Sequence, residues 1–375
     1  MKAKWTVSDI LNDRWNHIKR NKRYNPHQLR HLDAIRRCRT AALGGHLYKC
    51  NSCGAYHKRY NSCRNRHCPM CQNTQKQQWI EARQADLLPT TYYHVVFTIP
   101  ATLNELCLAF PRQLYHILFQ ASWATLDSLG WDPKYLGAQM GATMVLHTWG
   151  QNISFHPHIH CIVPGGGISY HGKWKEVKSK GKFLFPVKVM SKLFRGKFVS
   201  SLKTFLDHQG LSYNAELHKL LYRKDWVVYC KVPFGGAKGA IEYLARYTHK
   251  IAISNHRILD VGDENVRFRY KDYRHSGKVK QLTLHKEEFV RRFCLHILPK
   301  GFTRIRHYGI LSGRLKTKLL PQLKTIEKSS WDIYLKAKNI DVYQCPYCPN
   351  GRLILIGEIP KRGPPNFSYS SSTHI

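Results

Sequence analysis

Phe155-His156-Pro157-His158-Ile159-His160-Cys161 places three histidines two residues apart. In an extended strand, residues i, i+2 and i+4 share one face. A strand here aims His156, His158 and His160 at one point where a divalent cation can bind, and turns Ile159 into the core. Ile162 and Val163 favour a strand, and Gly165-Gly166-Gly167 ends it. Pro157 has no N–H for a ladder, which puts it at an edge or at the strand's entry. Two neutral imidazoles leave open positions on an ion for phosphate oxygens, an arrangement suited to Lewis-acid work. His158 and His160 are the expected ligands, with His156, or Gln151 just upstream, as the third. Imidazole suits Mn²⁺ better than Mg²⁺, but Mg²⁺ is the more available ion, so either is expected. Histidine pairs around a hydrophobic residue also occur simply packed in cores, and one strand does not decide between the two.

A second feature joins it downstream. Tyr243-Leu244-Ala245-Arg246-Tyr247 puts two tyrosines four residues apart, on one face of a helix. A tyrosine that attacks a phosphodiester forms a covalent phosphotyrosine and conserves the bond energy for rejoining. A phenol with a pKa near 10 needs a cation or base beside it. Arg246, His249 and Lys250 are at hand, and Gly235, Gly236 and Gly239 precede the helix. An aromatic stripe on a core-facing helix is the other reading of the pair.

Charge favours the chemical reading. The 375 residues carry 60 Lys plus Arg against 23 Asp plus Glu, a formal charge of +37. That excess calls for a polyanion, nucleic acid above all. An anionic membrane is the rival partner, but no run of about 18 apolar residues could span a bilayer. The amino terminus lacks the apolar core of a signal peptide. A cytoplasmic, nucleoid-associated protein is therefore expected, with reduced thiols. Its 12 cysteines are then better read as metal ligands than as disulfides. The few carboxylates argue mildly against a nuclease built on an Asp/Glu metal cluster.

Cys50-x2-Cys53 and Cys68-x2-Cys71 are two knuckles whose thiolates can close a tetrahedron around zinc. Cys38, His46, Cys63 and His67 are interleaved with them and offer a second, cross-braced Cys2His2 set, in which His57 could replace one of the four. The alternative makes Cys38 a small buried hydrophobe and the histidines phosphate contacts. One or two structural Zn²⁺ ions are expected, amid Lys49, Lys58, Arg59, Arg64, Arg66 and Lys76. Cys345-x2-Cys348 is half a site whose partners the sequence does not select.

The remaining pattern predicts two helices over 6–38, a helix over 70–88 and a strand at Tyr92–Ile99. Helices follow near 101–110 and 112–129, then strands at Ala142–Trp149 and His156–Val163 and a hairpin over 168–178. Beyond these come a helix at 186–207, a strand at Trp226–Val232, a helix at Gly239–Tyr247 and a strand at Lys250–Ser254. This order fits an α+β architecture with an antiparallel sheet. Four regions are expected: a helical zinc-binding, DNA-binding domain over 1–90, a nuclease domain over 91–275, a basic, mostly helical region over 276–340, and a CxxC segment with a disordered tail over 341–375. Arg267-Phe268-Arg269-Tyr270-Lys271-Asp272-Tyr273-Arg274 interleaves bases and aromatics. As a strand it puts Arg267, Arg269 and Lys271 on one face, either along a nucleic-acid backbone or as a solvated outer face. Arg304, Arg306, His307 and Tyr308 form another candidate patch.

His158-Ile159-His160 followed by Tyr243-x3-Tyr247 resembles the HUH superfamily of single-strand endonucleases. More closely, the chain resembles the two-tyrosine rolling-circle transposases of insertion sequences, relatives of Helitrons. The matching stretches are Cys63–Cys71, His94–Pro100, Phe155–Gly167, Tyr243–Asn255 and Gly301–Gly309, in the family's order. The resemblance implies an amino-terminal transposase zinc-binding domain and an HUH nuclease domain, a ferredoxin-like or RRM-like antiparallel sheet with the histidine strand at its centre. It implies that His158 and His160 hold the metal and that Tyr243 and Tyr247 are nucleophiles, Tyr247 first. One strand of DNA at the element's end would be cut to a 5′-phosphotyrosine and a free 3′-OH, then transferred. Helitron proteins carry a helicase, and no G-x-x-x-x-G-K-[ST] loop is present here, so a host helicase or replication machinery is the expected partner. A replication initiator or relaxase of the same superfamily, or a zinc-dependent DNA-binding regulator with a vestigial nuclease site, are the competing functions.

Overall fold

A computed structural model describes residues 3–72, 76–80, 87–179, 182–231, 239, 251–317, 341–361 and 366–367. The chain divides into two compact units. One comprises 1–78, 253–297 and 329–375, the other 79–252 and 298–328.

The second unit is built on a five-stranded antiparallel sheet in the order Ile305–Gly309, Gly141–Trp149, Phe155–Pro164, Tyr92–Thr98, Val228–Lys231. The histidine strand is therefore the middle strand. Alternation sorts its two faces. Tyr93, Val95, Phe97, Met144, Leu146, Ile159, Cys161 and Val163 turn one way, into a core closed by two long helices. Pro111–Trp131 starts with proline at its first turn, where the missing N–H costs nothing. Val187–His208 buries Met190, Phe194, Phe198, Leu202 and Leu206, a stripe at helical spacing. On the other face, Tyr92, Val145 and Ile162 make a smaller cluster with Trp79, Leu87 and Ile305. With both faces covered, Gly141–Trp149 is buried along its whole length.

Pro157 is accommodated where the ladder is irregular. The pairing with Tyr92–Thr98 runs out at Thr98 opposite His158, and the register with Gly141–Trp149 slips between His147 and Trp149. Two residues of the histidine strand, His156 and Pro157, thus oppose a single residue, which is a bulge. The connection before it turns tightly: the Gly150 N–H donates to Ser154 O at 2.8 Å, and buried Ile153 takes a left-handed φ of 61°. The predicted hairpin over 168–178 forms from Gly166–Ile168 and Trp174–Glu176.

The first unit begins with helices Val7–Asp13, Trp15–Arg20 and Pro26–Arg36, the first and third opened by capping boxes on Thr6 and Asn25. A hairpin of Gly45–Cys50 and Tyr56–Tyr60 follows, and Leu353–Ile359 pairs with its first strand. A separate three-stranded sheet is formed by Ile258–Val261, Asn265–Asp272 and Lys278–His285. The predicted strand at Lys250–Ser254 is absent over 251–254, where Ile251, Ala252 and Ile253 are buried in irregular backbone. Among its described residues, the region expected to be mostly helical contains two strands, Lys278–His285 and Ile305–Gly309, with the helix Lys286–Cys294 between them and a helical stretch over 313–317. No described helix is long and apolar enough to cross a membrane.

Candidate metal centres

Three imidazoles meet on the sheet face opposite the helices: His147, His158 and His160, their nearest ring nitrogens within 4.8 Å of one another. His158 Nε2 and His160 Nε2 stand 3.1 Å apart. Two nitrogens bound at right angles about 2.1 Å from an ion lie about 3.0 Å apart, so this pair has the spacing of neighbouring ligands. His158 Nδ1 donates to the carbonyl of His156 at 2.7 Å, which leaves Nε2 as the lone-pair nitrogen. His160 Nδ1 is bonded to His94 Nε2 at 2.9 Å, the two rings stacked 12° from parallel. Burial lowers the pKa of His94 to about 4 and keeps it neutral. Ligation of a metal through His160 Nε2 requires its proton on Nδ1, and in that tautomer His160 Nδ1–H donates to Nε2 of the neutral His94. His94→Ala is expected to raise the dissociation constant for Mn²⁺ about 10- to 100-fold, and His94→Gln, which keeps an acceptor, to restore part of it. Equal affinities in isothermal titration would remove this positioning role.

The third imidazole differs from the sequence expectation. His156 supplies its carbonyl to His158, and its own ring lies outside the three-histidine cluster. The bulge at Pro157 breaks the alternation that would have brought it in. His147 takes the place instead, directly opposite His158 in the neighbouring strand, where cross-strand side chains touch. Its signal in the sequence is a lone ionisable residue within a strand of otherwise uncharged, mostly apolar residues. The His147 ring stacks on Trp149 at 4.5 Å, and the Arg304 guanidinium lies over Trp149 at 5.3 Å. Arg304, expected at the nucleic acid, is 8% exposed and braces this stack.

The cysteines also group differently. Cys38, Cys63, Cys68 and Cys71 form one cluster, and Cys50, Cys53, Cys345 and Cys348 another. The expected sets combined Cys50 and Cys53 with Cys68 and Cys71, and Cys38 and Cys63 with His46 and His67. The hairpin explains the change: its five paired residues span about 17 Å. Cys50 and Cys53 sit at its tip, and Cys38 and Cys63 flank its base. His46 lies along the hairpin, and His67 packs its ring edge-on to His31, 5.1 Å away. In the first cluster Cys71 Sγ is 3.5 Å from Cys38 Sγ and 3.6 Å from Cys63 Sγ. A disulfide needs about 2.05 Å, whereas thiolates about 2.3 Å from a tetrahedral zinc lie about 3.8 Å apart. Hydrogen bonds with Cys63 lower the Cys38 thiol, and those with Cys38 lower Cys71 and raise Cys63 and Cys68. Four crowded sulfurs ionise together only around a cation, and zinc fits this soft donor set.

Of the expected nucleic-acid contacts, Arg267 and Arg269 lie on the exposed face of Asn265–Asp272, whose other face buries Val266 and Phe268. Phe268 packs on Phe289 and is not presented for stacking on bases. Arg64 is exposed, with a φ of 51°, and Arg66 is half-buried. Arg306 lies over the Phe119 ring at 4.2 Å and beside His116, lining a cavity of about 380 Å³ with Arg112, Gln113 and Thr303. Tyr243, Arg246, Tyr247 and Lys250 fall outside the described residues.

Residues 10–99 match the family described as "Transposase zinc-binding domain", and residues 141–318 the one described as "Putative transposase". The "Putative transposase y4qJ" of Sinorhizobium fredii (strain NBRC 101917 / NGR234) is 42% identical over 355 residues, 88% of this chain and 89% of that one. The "Transposase for insertion sequence element IS801" of Pseudomonas savastanoi pv. phaseolicola is 29% identical over 340 residues, 83% of this chain and 79% of that one. Among solved structures, a conjugative relaxase TrwC in complex with OriT DNA aligns at 10% identity and a TM-score of 0.24, over 42% of this chain and 70% of that one.

Proposed function

The chain belongs to the insertion-sequence transposases that join a transposase zinc-binding domain to a transposase domain, and from that membership we propose that it cuts single-stranded DNA at the ends of its element and transfers the strand by a rolling-circle route. The observation that carries this reading is the convergence of His147, His158 and His160 on one face of the sheet. These residues would hold Mg²⁺ or Mn²⁺, which would polarise the scissile phosphate and neutralise its growing charge. The chain's own groups do the rest. The Tyr247 or Tyr243 hydroxyl oxygen attacks phosphorus, the P–O3′ bond breaks, and the departing 3′ oxygen takes a proton. The products are a 5′-phosphotyrosine and a free 3′-OH. Attack by a 3′-OH on that phosphotyrosine restores a phosphodiester and returns the tyrosine, and two tyrosines allow two strands to be held at once.

Arg246 and Lys250 sit close in sequence to the nucleophiles and would lower the cost of forming a phenolate. Arg64, Arg66, Arg267, Arg269 and Arg306 would track phosphates, so binding should weaken steeply with salt. Strand separation would come from a host helicase or from replication.

Incubation of the protein with Mg²⁺ or Mn²⁺ and oligonucleotides from its own element's ends is expected to give a covalent adduct. Tyr247→Phe should lose most of it and Tyr243→Phe part, and the double variant should give none. An adduct that persists in the double variant, or none from the folded wild type with either metal, would sink the reading.

A further inference from the structure

Cys345 and Cys348 lie outside the stretch that matches the zinc-binding domain, which ends at residue 99. Yet they come together with Cys50 and Cys53 across 298 residues of chain. We propose that these four cysteines bind a second zinc ion, which clasps segment 341–361 onto the tip of the Gly45–Tyr60 hairpin and so completes the amino-terminal unit with the chain's carboxy-terminal part.

The sulfur spacing is the first support. Cys50 Sγ is 3.6 Å from Cys348 Sγ, and Cys53 Sγ is 3.8 Å from Cys345 Sγ. These are the edges of a zinc–thiolate tetrahedron, about 3.8 Å, and nearly twice a disulfide's length. The two knuckles are built alike. The Ser52 N–H points at Cys50 Sγ at 3.4 Å, and the Tyr347 N–H at Cys345 Sγ at 3.4 Å, each two residues on. The Cys53 N–H adds a further contact to Cys50 Sγ at 3.5 Å. Amide donors aimed at sulfur stabilise the thiolate form that zinc requires.

Backbone pairing holds the knuckles face to face. Cys50 sits opposite Leu353 in the ladder. The Asn51 N–H donates to Arg352 O at 3.0 Å, and the Arg352 N–H to Asn51 Oδ1 at 2.8 Å. The Cys345 N–H donates to Gly351 O at 2.9 Å. Gly351 leaves room for the sulfurs: a Cβ there would overlap Cys50 Sγ and lie within 2.7 Å of Cys348 Sγ. Four sulfurs fill a tetrahedral ion's coordination, so this ion would be structural, with no open position for substrate.

The test is the zinc content of the full chain, measured after removal of loosely bound metal. Two ions per chain are expected for the wild type and one for Cys345→Ser/Cys348→Ser. One ion in the wild type, or two in the double variant, would overturn the proposal. Misfolding of the variant is controlled by alkylating the wild-type protein itself and locating the label by mass spectrometry. With zinc bound, Cys345 and Cys348 should resist modification together with Cys50 and Cys53, and graded chelator should expose all four in step. Modification of Cys345 and Cys348 at an unchanged rate with and without zinc would overturn it equally.

Discussion

Replacing His147 with alanine is expected to weaken Mn²⁺ binding by about 100-fold or more, and to slow strand cleavage by a similar factor at metal concentrations below the wild-type dissociation constant and by less as the metal concentration rises. A factor of 100 corresponds to about 2.7 kcal/mol, a modest loss for one of three ligands. His147 is 2% exposed, and its ring centroid is 4.6 Å from that of His160 and 5.4 Å from that of His158. Its removal leaves two imidazoles, an underfilled ion and a small void. His156→Ala should cost much less, within about threefold, because His156 contributes through its backbone carbonyl, which alanine retains. Since His147 is buried, the alanine variant is best compared with His147→Gln, which keeps much of the volume and one donor atom. Calorimetric titration with Mn²⁺, and cleavage measured across a range of Mn²⁺ concentrations, separate metal loss from misfolding. A metal defect is relieved by excess Mn²⁺, and a folding defect is not. Wild-type affinity in His147→Ala together with a large loss in His156→Ala would assign the third ligand to His156.

The contrast between these two histidines marks where the sequence stops being sufficient. His158 and His160 are legible because the two-residue period of a strand is a local property. Ile159 between them, buried in the core, follows from the same rule. The partner across the sheet is not local. His147 meets His158 through a register fixed by the turn over 150–154, with Ile153 in a left-handed conformation, and by the bulge at Pro157. Neither is encoded in a hydrophobic pattern, and a shift of one residue would have carried His147 to the other face. The cysteines repeat the lesson. Each CxxC knuckle is visible from its spacing, but the length of the intervening hairpin decides which knuckles can share an ion. One partner pair also lies at the far end of the chain, where no spacing rule reaches. The antiparallel α+β architecture is readable because long strongly patterned segments dominate that unit, whereas the central place of the histidine strand is implied by the family resemblance and not by its pattern, in which Pro157 points to an edge or an entry. Ile251–Ile253 reads as a strand by composition, but the segment is buried without joining a sheet.

The amino-terminal cysteine cluster carries the largest expected effect on stability. Cys38, Cys68 and Cys71 are 1%, 0% and 5% exposed. The apolar residues around the first three helices are few, chiefly Val7, Ile10, Leu11, Ile18, Leu32 and Ile35. A core of that size contributes little beyond the entropy it must offset. Structural zinc in small finger modules contributes about 10–16 kcal/mol, comparable to the whole stability of a typical domain, about 5–15 kcal/mol. Cys63→Ser is therefore expected to abolish ion binding at this cluster and to unfold the segment over residues 3–72. The second unit has its own core, with Phe97, Phe119, Phe185, Phe194 and Phe198 fully buried, so it should stay folded. Limited proteolysis with mapped cleavage sites distinguishes the two: cuts should concentrate within 3–72 while Tyr92–Thr98 and Phe155–Pro164 remain protected. Chelation of the wild type should reproduce the same pattern, and added Zn²⁺ should reverse it in the wild type but not in Cys63→Ser. Full protection of 3–72 in the metal-free wild type would show that the helices and hairpin hold without the ion, and that the four sulfurs are packed rather than ligating.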